Sequence, residues 1–189
     1  MLDRLPLSLV LLRALLAPVL VALALFHPTG AAFGTCLVAA FLSDYFDGVI
    51  ARRLGVATVN LRRLDSAADS LFYIAATFAV WHLQPEAILG RWPLLAVLAG
   101  LELLRYVLDL AKFRREASYH MWSSKLWGLF LFLGFLSLLA FHDDNALVSL
   151  MVWAGIVADL EGVAISLTLR HWQADVPTIV HAIRLRTRN

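Results

Sequence analysis

Asp44, Asp47, Asp65 and Asp69 stand within a 26-residue stretch of an otherwise strongly apolar chain. The first pair is three residues apart and the second four. On helices, each spacing puts both carboxylates on one face. Left without cations, four such groups repel one another and lose hydration beside apolar segments. Hard divalent cations with oxygen ligands remove that cost, and Mg²⁺ typically takes carboxylates together with substrate phosphates and water. Two ions suit displacement at phosphorus, because they stabilise both the attacking and the leaving oxygen. The competing reading pairs the acids with the neighbouring Arg52, Arg53, Arg62 and Arg63. Small residues favour the ligand reading. Gly48 and Ala51 leave room for something bulky beside the backbone, and Arg52 follows where it can meet a phosphate. Ser66, Ala67 and Ala68 keep the second element slim, which also suits close helix packing.

These acids need elements to hold them at a common boundary. The chain has 189 residues, 61% of them hydrophobic, above the share of an ordinary soluble domain. Apolar runs of about 20 residues recur, the length of a bilayer-spanning helix. The fold expected is an all-α integral membrane protein with six transmembrane helices, over residues 5–27, 31–53, 65–83, 92–113, 121–141 and 146–170. The breaks carry turn chemistry or charge: "HPTG", "RRLGVATVNLRR", "HLQPEAILGRWP", "KFRREASYH" and "HDDN". The first apolar run is too long for a signal-peptide core and more runs follow, so it reads as a span. No long linker or internal repeat interrupts the chain, so 1–189 is expected to be one domain. Residues 171–189 would form a basic cytoplasmic or interfacial tail.

Lysine and arginine set the orientation. Arg4, the Arg52–Arg63 group, Lys112, Arg114, Arg115, Lys125, Arg170, Arg184, Arg186 and Arg188 fall on one side of the expected spans. The other side has Arg91 beside Glu86, Asp143 and Asp144. Both termini are therefore expected in the cytoplasm. Trp81, Trp92, Trp122 and Trp172 fall near span ends, where interfacial tryptophans sit. A formal net charge of +2 gives no reason to expect nucleic acid as a partner, and the lone Cys36 excludes an intrachain disulfide.

The pattern Asp44-x2-Asp47-Gly48-x2-Ala51-Arg52 … Asp65-x3-Asp69 resembles the signature of the CDP-alcohol phosphotransferases. One signature position differs: Leu61 stands where the family has its second glycine. The opening "LPLSLVLLRALLAPVL" looks like the first span of bacterial phosphatidylglycerophosphate synthases, with Leu7 and Val10 at positions commonly polar there. The resemblance implies transfer of a phosphatidyl group from a CDP-linked donor, usually CDP-diacylglycerol, to the hydroxyl of a small alcohol, releasing CMP in phospholipid biosynthesis. It implies two Mg²⁺ or Mn²⁺ ions held by Asp44, Asp47 and Asp65, with Asp69 touching a metal and serving as general base. Gly48 and Ala51 would leave space for the cytidine, and Arg52 would support the nucleotide or diphosphate. A homodimer in the bacterial inner membrane, with the active site on the cytoplasmic side, is the implied setting.

The acceptor is harder to place. Arg105 lies within the fourth expected span, and an intramembrane arginine is a functional candidate. Pairing with Asp109, four residues on, is an equally good explanation. Lys125 and His120 stand on the side of the aspartates and suit a phosphorylated acceptor such as glycerol 3-phosphate or inositol phosphate. Asp159 and Glu161, two apart, cannot share one helical face. Three other readings compete: a small ion transporter, a noncatalytic membrane scaffold, and a membrane prenyltransferase, which also holds a diphosphate through aspartates and Mg²⁺.

Overall fold

The computed structural model describes residues 5–56, 58–115 and 119–188, with only the backbone of Val59, Arg62 and Arg188. Arg4 and the side chains of Arg62 and Arg188, used above for orientation, lie outside that description. Eight helices and no strand occur among the described residues: α1 Leu5–Phe26, α2 Gly30–Leu54, α3 Val59–Leu83, α4 Pro85–Leu89, α5 Trp92–Phe113, α6 Trp122–Phe141, α7 Ala146–Thr168 and α8 Ile179–Arg188. Four of them, α1, α2, α6 and α7, are long and apolar enough to cross a membrane. In α3 and α5, polar and charged residues such as Asp65, Asp69, Glu102, Arg105 and Asp109 dilute the apolar character.

The helices group into two compact units. One takes in the described residues up to Leu89 together with Phe135–Asp144; the other takes in Gly90–Gly134 and Asn145 onward. In the first unit α1 packs on both α2 and α3. Its inward stripe is Pro6, Val10, Arg13, Ala17, Leu20 and Ala24. That spacing of three and four keeps one face inward, and an arginine stands in the middle of it. Leu11, Leu12, Leu15 and Val19 point outward and are exposed, as lipid-facing side chains would be. At the start of α2, Gly30 approaches the backbone carbonyl of Ala140 so closely that a Cβ would collide with it. A Schellman turn ends α2: Gly55 sits at φ 68°, and the Val56 N–H donates to the Ala51 carbonyl at 3.0 Å.

The start of α3 differs from the expectation. The helix begins at Val59 rather than residue 65. Thr58 caps it, its hydroxyl accepting from the Leu61 N–H at 3.2 Å, so the cap overrides the polar character of the first turn. Likewise the break expected at 82–93 contains the short α4, with Pro85 at its first position.

In the second unit, α7 buries ten of its 23 residues, including Val148, Val152, Ile156, Asp159 and Ile165. Asn145 caps it by accepting from the Leu147 N–H at 2.9 Å. Gly162 gives way to the Arg105 side chain, and Gly155 to Leu98 and Trp127. Tyr119, Met121, Ile165, Leu169 and Val176 form a core with Ala182 of α8, against which Ile179 and Leu185 also pack.

Candidate active site

The first unit gathers all four aspartates. α2 supplies Asp44 and Asp47, three apart, and α3 supplies Asp65 and Asp69, four apart, so the predicted one-face spacing is realised on both helices. Carboxylate oxygens of Asp44, Asp47 and Asp65 lie within 4.8 Å of one another. Asp47 is buried, Asp65 and Asp69 are half-buried, and Asp44 is open to solvent. The set therefore runs from a dry inner end to an open mouth.

The cation at its centre is Arg13, from α1. Its Nη1 lies 3.1 Å from Asp44 Oδ1 and also bonds Asp69 Oδ1. Its Nη2 lies 2.5 Å from Asp47 Oδ2 and 3.2 Å from Asp65 Oδ1. The last contact is an ion pair without hydrogen-bond geometry, and Asp65 Oδ1 is a buried oxygen lacking a hydrogen bond. Arg13 is 1% exposed, and its own Nε is buried without a hydrogen-bond partner. The acids are thus paired, but by an arginine more than 30 residues away rather than by Arg52, Arg53 or Arg63, all three of which are exposed. The spacing of the acids does not point to Arg13. The available signal was an ionisable residue on the buried stripe of an apolar helix, a functional candidate by default.

The donor chemistry fits a hard divalent ion. Three carboxylates offer only oxygen, and ion–oxygen bonds of 2.0–2.1 Å set donor oxygens about 3–4 Å apart. Around the trio, Ala51 is buried, and the Arg52 guanidinium folds back over Gly48, where an added Cβ would sit 3.3 Å from its Nη1. The Gly48–Arg52 turn thus carries a movable cation over a bare patch of backbone. Leu61 is half-buried in the first turn of α3 and is not among the residues with positive φ. The backbone there needs no glycine, so leucine is tolerated structurally.

The three acceptor candidates all lie in the second unit, and each has a different neighbour. Arg105 meets not Asp109 but Asp159 of α7, Nη1 to Oδ1 at 2.9 Å. Asp109 instead accepts from the hydroxyls of Ser166 and Tyr119, at 2.6 and 3.2 Å. Burial in this cluster pushes the Tyr119 phenol up to about 12. Lys125 is exposed, its Nζ 4.5 Å from the centroid of Trp122. His120, at φ 50°, lies 3.7 Å from Asp175. Asp159 and Glu161 do face different ways. Glu161 accepts from Ser123 Oγ at 2.5 Å and from the Ile179 N–H at 3.1 Å, placing a carboxylate at the N-terminus of α8.

No curated protein and no solved structure matches the chain significantly. A protein-family model does: that of the CDP-alcohol phosphatidyltransferases matches residues 4–161.

Proposed function

The chain belongs to the CDP-alcohol phosphatidyltransferase family, and on that premise we propose that it moves a phosphatidyl group from CDP-diacylglycerol to a small alcohol, with glycerol 3-phosphate the first acceptor to test. Family membership makes it a transferase of phospholipid biosynthesis, and its apolar helices make it an integral membrane protein. It sets aside the transporter, scaffold and prenyltransferase readings.

The observation carrying the site assignment is the convergence of Asp44, Asp47, Asp65 and Asp69 on one point. Asp44, Asp47, Asp65 and Asp69 would hold two Mg²⁺ or Mn²⁺ ions. Such ions, when bound, supply charge for the diphosphate and for the attacking and leaving oxygens. Asp69 takes the proton of the acceptor hydroxyl as its oxygen forms the new bond to the donor's lipid-bearing phosphorus. The bond from that phosphorus to the bridging oxygen breaks, and CMP leaves with the electron pair. Gly48 and Ala51 leave room for the cytidine, and Arg52 holds the nucleotide or diphosphate as a charged donor. Arg105, Lys125 and His120 serve the acceptor, Arg105 being held in place by Asp159.

The exposed apolar faces of α3 (Leu71, Ile74, Phe78) and α5 (Leu103, Leu104, Val107) support spans for these two helices as well. On this reading the chain has six spans, both termini in the cytoplasm and the aspartates on the cytoplasmic side of a bacterial inner membrane. The family match runs through both compact units, which supports one functional domain over 1–189. A homodimer is part of the same reading. Mass spectrometry of the lipid product, from purified chain given CDP-diacylglycerol, Mg²⁺ and a panel of alcohols, tests it. A phosphatidylglycerol phosphate product is expected with glycerol 3-phosphate; a product with another alcohol alone would replace the acceptor.

A further inference from the structure

We propose that Arg13 is the resident counter-cation of the carboxylate site, and that its guanidinium must withdraw before a divalent ion can bind. The inference rests on the metal reading above and deepens it. Its basis is that one side chain reaches every member of the proposed ligand set. Arg13 contacts Asp44, Asp47, Asp65 and Asp69 together, and three of these are the trio whose oxygens lie within 4.8 Å.

A guanidinium and a metal ion make the same demand on a carboxylate, since both need its lone pairs. Placed among these oxygens, an ion would also lie within a few ångströms of a like charge that is itself shut away from water. The two are therefore alternatives. Arg13 is not fully satisfied where it stands. Its Nε has no hydrogen-bond partner, and neither has the Asp65 oxygen it faces. One positive charge against four carboxylates leaves the site strongly anionic. Arg13 thus holds the helices together without quenching the attraction for a stronger cation. Its position on the packed face of α1 gives α1 a part in metal loading that the α2–α3 aspartate pattern does not reveal.

The test uses the full chain in detergent, free of nucleotide, with Mn²⁺ as the probe and loss of the free-ion EPR signal as the readout. Arg13→Gln removes the competing charge and should bind Mn²⁺ about tenfold or more tightly than wild type. Its melting temperature in EDTA should fall below wild type and recover with Mn²⁺. Arg13→Lys keeps a charge but cannot bridge four carboxylates, so its affinity should fall between the two. It serves alone if Arg13→Gln does not survive without metal. Equal or weaker Mn²⁺ binding by these variants, with wild-type binding intact, overturns the role of Arg13 and leaves the metal site standing. No Mn²⁺ binding by wild type or either variant overturns the metal reading, and this inference with it.

Discussion

Arg105 Nη1 on α5 lies 2.9 Å from Asp159 Oδ1 on α7. Asp159 has no exposed surface, whereas Arg105 keeps about a quarter of its side chain in contact with solvent. The pair is therefore unequal. Arg105→Ala strands a buried carboxylate and should cost about 3 kcal/mol. Asp159→Ala leaves an arginine whose head can turn toward water and should cost about half that. The double variant should lose at least about 1 kcal/mol less than the sum. Unfolding in detergent measures all three, and strictly additive losses would count against the pairing.

Leu61 occupies the third position of α3, where its N–H completes the Thr58 cap. Leu61→Gly keeps that bond but removes a half-buried side chain and adds backbone entropy, so it should lower stability by about 1 kcal/mol. If the nucleotide lies beside this turn, the same change should lower the donor KM severalfold. A melting-temperature drop with an unchanged donor KM would place the nucleotide elsewhere.

Much of this site is legible in the sequence, and what escapes does so for physical reasons. Asp44 and Asp47, or Asp65 and Asp69, are neighbours along a helix, so spacing alone puts each pair on one face. Arg13 meets them across 31 to 56 residues of chain, and no local period encodes such a contact. An ionisable residue inside an apolar run was readable, but α1 is apolar on every side, so only packing shows that Arg13 faces inward. The early start of α3 was also readable from Thr58, but the polar Arg62–Arg63 pair argued for a loop. The partner of Arg105 was not readable, because Asp109 and Asp159 are equally good on charge and only packing selects Asp159. The two units are likewise invisible to hydropathy, which sees apolar runs but not which of them pack together.

Glu161 receives the Ile179 N–H at the first turn of α8. Glu161→Ala removes both that acceptor and a favourable charge at the helix N-terminus, worth about 1 kcal/mol together. Amide exchange across residues 179–188 should speed up about fivefold while α7 exchange holds. Unchanged exchange in α8 would show that the Thr178 cap and apolar packing through Ile179, Ala182 and Leu185 hold it without Glu161.

The central claim is that the aspartates on α2 and α3 perform CDP-dependent transfer with Asp69 as the base. The direct measurement is CMP release from CDP-diacylglycerol by the purified chain with Mg²⁺ and an acceptor panel, run beside Asp69→Asn with donor binding measured in parallel. Wild type should release CMP. Asp69→Asn should slow release by about a hundredfold or more, while its donor Kd stays within a few-fold of wild type. No CMP release with any alcohol, while the metal still binds, would contradict the mechanism; undiminished turnover in Asp69→Asn would remove Asp69 as its base.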